Sequence, residues 1–335
     1  MVDTRLPVLG ITMGDAAGIG PEITMKVLAS KDIYSICRPL VIGDAATLEK
    51  IQAVAKTSLS LHRIKSVKEA GFKFGTVDVI DLHNINLGEL KMGGPAVMTG
   101  EACYQYIEKA VHLALNKEIG AMVTAPISKE ALNMAGHHYP GHTDLIAEMT
   151  NSPDYGMMYV TPTLTVVLAT IHVALSEVPH MITKKRVLTM IRLTDQTLRK
   201  MGVKNPRIAI AGLNPHAGEA GMFGREEIEE ITPAVQDARK EGLNVTDPLP
   251  ADTVFLRAHR GQFDAVVSMY HDQGSIPIKL LGFEFGVNMT IGLPIIRTSV
   301  DHGTAYGHAR RGQGDSDPRS LVEAIKLAAK LAAPV

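Results

Sequence analysis

The chain has 335 residues, with 34 Lys and Arg against 35 Asp and Glu and a formal net charge of -1, so no bulk field draws it to nucleic acid or to an anionic membrane. Trp is absent and aromatic residues make up 4%, too few for base-stacking platforms, while 45% hydrophobic and 21% charged residues describe a folded chain long enough for two lobes. Two cysteines, Cys37 and Cys103, exclude a disulfide framework and predict a reducing cytoplasm; Met1-Val2-Asp3-Thr4-Arg5 has no signal-peptide pattern, and no apolar run is long enough to span a bilayer.

Pro7-Val8-Leu9-Gly10-Ile11-Thr12 reads as a first strand. It runs into Met13-Gly14-Asp15-Ala16-Ala17-Gly18-Ile19-Gly20-Pro21-Glu22, where three glycines permit a tight turn and a close approach to a ligand. Pro21 and Glu22 suit the start of a helix through Ser30. The turn lacks the Lys-Ser/Thr of a P-loop, and its glycine spacing is not the dinucleotide fingerprint, so a plain strand-to-helix turn stands beside a ligand loop. Residues 39–44 predict a second strand, 45–55 a helix and 77–82 a third strand. Residues 84–98 read as a long irregular connection, Thr99 as the cap of a helix to Asn116, and 121–126 as a strand ending at Pro126. Ser128 caps a further helix. Gly141 then puts His142 and Thr143 at a helix start, where free backbone N–H groups bind anions, so these two read as substrate contacts and His137 and His138 as loop residues.

Residues 155–169 hold two strand-like runs broken at Thr161-Pro162-Thr163, and His172 follows. Thr183 to Met201 predicts an amphipathic helix, with Val187, Met190, Ile191, Thr194 and Leu198 on one face. A strand at 207–212 delivers His216, and a charged helix covers 225–240. Residues 247–255 predict a rigid turn presenting Asp252, either as an N-cap or as a carboxylate near a metal. The apolar run Phe263-Asp264-Ala265-Val266-Val267 leads to His271-Asp272, after which Gly274 predicts a sharp turn that holds Lys279 nearby; residues 321–333 form a closing helix. His172, His216 and His271 each follow an apolar strand, as a three-imidazole metal site with an open position would require; packing is the plainer alternative. Strands alternate with helices throughout, which defines an α/β class.

With these residues in view, the chain resembles the 4-hydroxythreonine-4-phosphate dehydrogenase family over nearly its full length. The resemblance rests on Thr12-Met13-Gly14-Asp15 with Gly18-Ile19-Gly20-Pro21-Glu22, on Gly141-His142-Thr143, on Leu213-Asn214-Pro215-His216-Ala217-Gly218-Glu219, on Pro250-Ala251-Asp252-Thr253, on Tyr270-His271-Asp272-Gln273-Gly274, and on the run from Ile296 to Ala305. It implies a two-lobed, three-layer α/β/α fold of the isocitrate and isopropylmalate dehydrogenase type, without a Rossmann unit. The expected lobes are 1–140 with 286–335 on the cofactor side, and 141–285 for metal, substrate and dimerisation. The resemblance further implies one divalent metal on His172, His216 and His271, with ligands drawn from both subunits of a homodimer. Zinc is the first candidate, and cobalt, nickel and iron also suit imidazole. His142, Thr143, Lys279, Asn288 and Arg297 match positions that hold a phosphorylated substrate, and Asp252 matches an acidic residue beside the site. Gly14, Asp15 and His302-Gly303-Thr304-Ala305 fall on the NAD or NADP side.

The activity so implied is oxidation and decarboxylation of a four-carbon 3-hydroxy acid 4-phosphate, either 4-phosphooxy-L-threonine or D-threonate or D-erythronate 4-phosphate. The stretches Phe255-Leu256-Arg257-Ala258, Ile276-Pro277-Ile278-Lys279-Leu280-Leu281-Gly282-Phe283 and Met222-Phe223-Gly224-Arg225-Glu226-Glu227 look closer to the D-threonate branch. Asp252, Asp272 and Lys279 are the candidate proton acceptors. Two departures stand out: Ala16 where a Pro is usual, and Tyr306-Gly307-His308-Ala309-Arg310-Arg311 in place of the usual continuation of the cofactor loop. Those arginines suit a 2′-phosphate or plain surface charge, which leaves NAD and NADP both open. The rivals are a metal-dependent phosphatase or acyl/phosphoryl transferase on a similar fold, and a non-catalytic sugar-phosphate-binding protein.

Overall fold

A computed structural model of the chain describes residues 5–282 and 284–333; Met1–Thr4, which carry most of the expectation about a leader, lie outside them. The chain divides into two compact units, Met1–Ser152 with Leu293–Val335, and Pro153–Gly292.

The first unit opens with β1 (Val8–Thr12), α1 (Gly20–Leu28), α2 (Lys31–Ile36), β2 (Arg38–Gly43), α3 (Ala45–Ala55), β3 (Ser60–Ile64) and β4 (Thr76–Asp81). It continues through α4 (Val97–Leu115), β5 (Ala121–Thr124), α5 (Lys129–Met134) and α6 (His142–Met149). The inner strands are apolar runs buried on both faces, as parallel sheets require; Leu9, Ile11, Leu40, Val41, Ile42, Met122 and Val123 have no exposed surface. Asp44 caps α3 by accepting from the Thr47 N–H at 2.7 Å. Thr99 does not cap α4. The helix begins at Val97, and the buried Thr99 hydroxyl donates to Ala96 O at 3.1 Å. β3 was not expected: Ser60, His62 and Arg63 make it polar, which suits its place at the end of the strand order.

The second unit comprises β6 (Gly156–Val160), β7 (Thr165–Leu168), α7 (Val178–Met181), α8 (Lys184–Lys200), β8 (Ile208–Ala211), α9 (Thr232–Lys240), β9 (Val245–Leu249), α10 (Ala251–His259), β10 (Ala265–Ser268), α11 (His271–Gly282) and β11 (Val287–Ile291). Among the described residues its strands are ordered β11-β6-β7-β10-β8-β9. The two strand-like runs broken at Thr161-Pro162-Thr163 are β6 and β7, which pair as an antiparallel hairpin, and β11 joins β6 antiparallel. β10 runs parallel to both β7 and β8. Thr183 caps α8 through Arg186 N at 3.2 Å. β9 was read as a turn because of Pro248, yet an end strand tolerates a residue with no N–H to donate. The core gathers Met157, Tyr159, Val166, Leu168, Val254, Phe255, Val266 and Ile278.

The sharp turn expected at Gly274 is instead the interior of α11. A Cβ at Gly274 would lie 2.5 Å from Ser268 Oγ and 2.6 and 2.7 Å from the Leu168 and Val166 side chains. The glycine thus lets the helix lie directly on β7 and β10 rather than bend the chain.

The chain then returns to the first unit with β12 (Arg297–Val300), α12 (Tyr306–Arg311) and α13 (Arg319–Ala332). Among the described residues this unit orders β3-β4-β2-β1-β5-β12, all parallel. The unit boundaries fall at 152/153 and 292/293 rather than at 140/141 and 285/286. α6 packs on α4 and so stays with the first unit, and β11 pairs with β6 and so stays with the second.

Candidate active site

In the second unit, parallel strands end where the histidines begin. Thr170 lies past β7 and sends both its N–H, at 3.1 Å, and its hydroxyl, at 2.8 Å, to Met269 O past β10. This ties the His172 segment to the start of α11. The rings of His172 and His271 stand 5.6 Å apart. They line a cavity of about 410 Å³ with Ile171, Leu175, Tyr270 and Asp272. His271 Nδ1 lies 2.7 Å from Asp272 Oδ1, an arrangement that puts the ring proton on Nδ1 and leaves Nε2 as a lone-pair donor. Asp272 thereby orients His271.

His216 is presented differently. Residues 216–220 all take positive φ, with His216 at 53°, Ala217 at 53°, Gly218 at 83°, Glu219 at 41° and Ala220 at 54°. Four of these are not glycine, and each such residue costs about 1–2 kcal/mol. The buried Glu227 holds the turn in place: it accepts from Asn214 N at 2.7 Å and from Asn214 Nδ2 at 2.9 Å. Gln273 ties the turn to α11, its amide accepting from Met269 N and donating to Gly212 O, both at 2.7 Å. Neither role of Glu227 or Gln273 was anticipated. The candidate ligand atoms of His172, His216 and His271 do not all lie within 4.8 Å of one another in one chain. Asp252 is exposed in the first turn of α10, whose cap is Pro250, so the N-cap expectation fails. Lys279 is exposed on α11, and Asn288 Oδ1 on β11 is shut from solvent without a partner.

In the first unit, Arg297 is the largest fully buried side chain and donates through Nη2 to Thr124 Oγ1 at 2.8 Å. Burial pushes its guanidinium below the usual range. His142 opens α6, beside the buried Thr143; its Nε2 is shut from solvent with no hydrogen-bond partner. Burial and then the Arg297 charge hold the His142 ring well below the ordinary histidine range, so it is neutral at pH 7. A buried cation and a neutral imidazole with an orphaned nitrogen suit an anion that brings its own hydroxyl or acceptor oxygens.

The segments assigned to the cofactor also meet in the first unit. Gly14 takes φ 74°, and a Cβ there would sit 2.5 Å from Pro126 O. Ile19 N donates to Thr304 O at 3.0 Å. Asp15 is enclosed: Oδ1 accepts from Ala17 N at 2.8 Å and Oδ2 from the Tyr306 hydroxyl at 2.6 Å. It ties the two loops together and is not exposed to a ligand. Burial, opposed by those bonds, raises its carboxyl pKa. The imidazole Nε2 of His302 is shut from solvent and unpartnered.

A second group in this unit, Asp44, Asp81 and His83, has ligand-type atoms within 4.8 Å of one another. Its carboxylates already serve backbone N–H groups: Asp44 those of Thr47 and Ile85, and Asp81 those of Ala45 and His83.

A family profile described as "Pyridoxal phosphate biosynthetic protein PdxA" matches residues 35–328. The chain is 50% identical to the D-threonate 4-phosphate dehydrogenase of Cupriavidus necator, covering 98% of each chain. It is 48% identical to the 4-hydroxythreonine-4-phosphate dehydrogenase of Desulforapulum autotrophicum, covering 98% of this chain and 96% of that one. The crystal structure of a 4-hydroxythreonine-4-phosphate dehydrogenase from Burkholderia phymatum is 49% identical, covers 98% of this chain and 99% of that one, and superposes with a TM-score of 0.85. A mixed α/β fold without the Rossmann fingerprint, carrying this identity to named dehydrogenases, defines an oxidoreductase acting on a secondary alcohol. The chain belongs to the PdxA family, and the transferase and binding-protein rivals are not favoured. Among the described residues no helix is long and apolar enough to cross a membrane.

Proposed function

We propose that the protein oxidises and decarboxylates D-threonate 4-phosphate or D-erythronate 4-phosphate, with a nicotinamide cofactor and one divalent metal. The observation that carries this reading is the buried Arg297 with the neutral, orphaned His142, a pair built for a small multivalent anion. The stretches 222–227 and 255–258 and the Cupriavidus necator relative favour the threonates over the amino acid. Arg297 offers a planar fork to phosphate or carboxylate, and Thr143 at the start of α6 shares that load.

His172 and His271 fit a metal as two imidazoles, the latter fixed in tautomer by Asp272. We assign His216 to the set from a second copy of the chain, a sharing consistent with three histidines whose ligand atoms do not all come together within one protomer. Exposed apolar side chains on this unit, including Leu280 at 82%, Met222 at 74% and Leu175 at 68%, give that second copy a surface to cover. A metal held there would supply positive charge for the substrate oxygens, and a bound nicotinamide would supply the hydride acceptor. Asp252 or Lys279 takes the hydroxyl proton, since Asp272 is committed to His271. Loss of carbon dioxide from the 3-oxo acid leaves a three-carbon ketone phosphate. Cys37 and Cys103 are both buried free thiols, which suits a cytoplasmic setting.

The test is reduction of NAD or NADP by the metal-loaded protein with D-threonate 4-phosphate, D-erythronate 4-phosphate and 4-phosphooxy-L-threonine side by side. Turnover of the threonates, abolished in His271→Ala, is the expected result. Turnover of the amino acid alone would reassign the substrate, and no reduction with any of them would reject the reading.

A further inference from the structure

His308, Arg310 and Arg311 follow the cofactor-side loop, and as a sequence they invite the 2′-phosphate of NADP. The structure commits all three. Arg310 Nη2 donates to Gly93 O at 2.5 Å. His308 Nδ1 lies 3.2 Å from Asp315 Oδ1, and Arg311 Nη2 lies 3.9 Å from Asp315 Oδ2. These two bases hold the Asp315 carboxyl below its usual range, the His308 bond being the larger cause, so it is ionised at neutral pH.

Asp315 is also fixed in place. The residues on either side, Gly314 and Ser316, give their carbonyls to Lys26 Nζ at 2.9 and 2.7 Å. Ser316 donates through N at 3.1 Å and Oγ at 2.9 Å to the two carboxylate oxygens of the buried Glu22, which itself pairs with Lys26 at 2.7 Å. Gly314 takes φ 66°, and a Cβ there would lie 2.0 Å from Val54 O, so the segment is seated on the end of α3. The half-exposed carboxylate of Asp315 is therefore held against His308 and Arg311 from an anchored backbone.

We propose that Asp315 sets the choice of cofactor: by occupying His308 and Arg311 it denies them to a 2′-phosphate, and its charge repels that phosphate while tolerating the ribose hydroxyl of NAD. This rests on the reading of His302–Ala305 as the adenine-side loop. A carboxylate and a phosphate close together at the surface repel strongly enough for a tenfold or greater discrimination.

Calorimetric titration of NAD and of NADP into the substrate-free protein tests this apart from turnover. Wild type is expected to bind NAD at least about tenfold more tightly than NADP. Asp315→Ser, and the isosteric Asp315→Asn, are expected to gain about tenfold or more in NADP affinity with little change for NAD. Adding Arg311→Ala to Asp315→Ser is expected to remove most of that gain. NADP preference in the wild type, or an unchanged affinity ratio in both Asp315 variants, overturns the proposal while leaving the cofactor reading intact. A wild type that binds neither nucleotide overturns both.

Discussion

Arg297 shows at the scale of one residue how much of the site was visible beforehand. The resemblance marked it for substrate, but no strand was read at its position. Its burial could not be read, because the partner Thr124 stands on β5, a strand that becomes its neighbour only when the sheet forms. Burying a cation opposes folding, so Arg297→Met is expected to keep or raise the melting temperature while substrate binding weakens by about 2–5 kcal/mol, read as a rise in KM. His142 carries a pH signature. Its folded pKa lies below the unfolded value near 6.5, so as pH falls through 6.5 the unfolded chain takes up a proton that the native ring refuses, and stability drops. His142→Asn is expected to flatten this acid-side loss by at most about 1.4 kcal/mol per pH unit, measured by denaturant unfolding between pH 6.5 and 5. An equal slope in both proteins would contradict a buried neutral imidazole.

At the scale of elements, the periodic segments were legible and the special backbones were not. α3 and α8 fall where the sequence placed them, α8 by its apolar spacing. α11 was missed because Gly274 and Pro277 read locally as breakers, whereas Gly274 is required by a close approach to β7, more than a hundred residues away in the chain, as well as to β10. Gly274→Ala is therefore expected to destabilise the fold by about 1–3 kcal/mol through overpacking, and to displace His271. The left-handed run at 216–220 has only one glycine, so no composition signal announced it. Ala220→Gly is expected to stabilise the protein by up to about 1 kcal/mol, and a destabilisation would show that the Ala220 side chain contributes more than its backbone strain.

At the scale of the whole molecule, the alternation of strands and helices was enough to give the class, but not the unit boundaries, which depend on which neighbours α6 and β11 choose. The same limit applies to the metal set. Three histidines after three strands suggested one centre; in a single chain the His172 and His271 rings stand 5.6 Å apart, but the ligand atoms of all three do not come within 4.8 Å of one another. The proposed dimer with a shared centre makes a quantitative prediction. His216→Ala and His271→Ala are each inactive alone; unfolded together and refolded as an equal mixture, they form about half mixed dimers, each with one intact set, and recover about a quarter of wild-type activity. A centre built from one chain would recover nothing.

The central claim is that oxidation and decarboxylation occur together on a phosphorylated 3-hydroxy acid with these imidazoles. The most direct measurement is the ratio of carbon dioxide released to nicotinamide reduced, using D-threonate 4-phosphate labelled at the carboxyl carbon, with and without added divalent metal. The account predicts a ratio of one, with both products falling together in the chelated protein and in His271→Ala. Reduced nicotinamide without carbon dioxide, or full turnover after the metal is stripped, would contradict it.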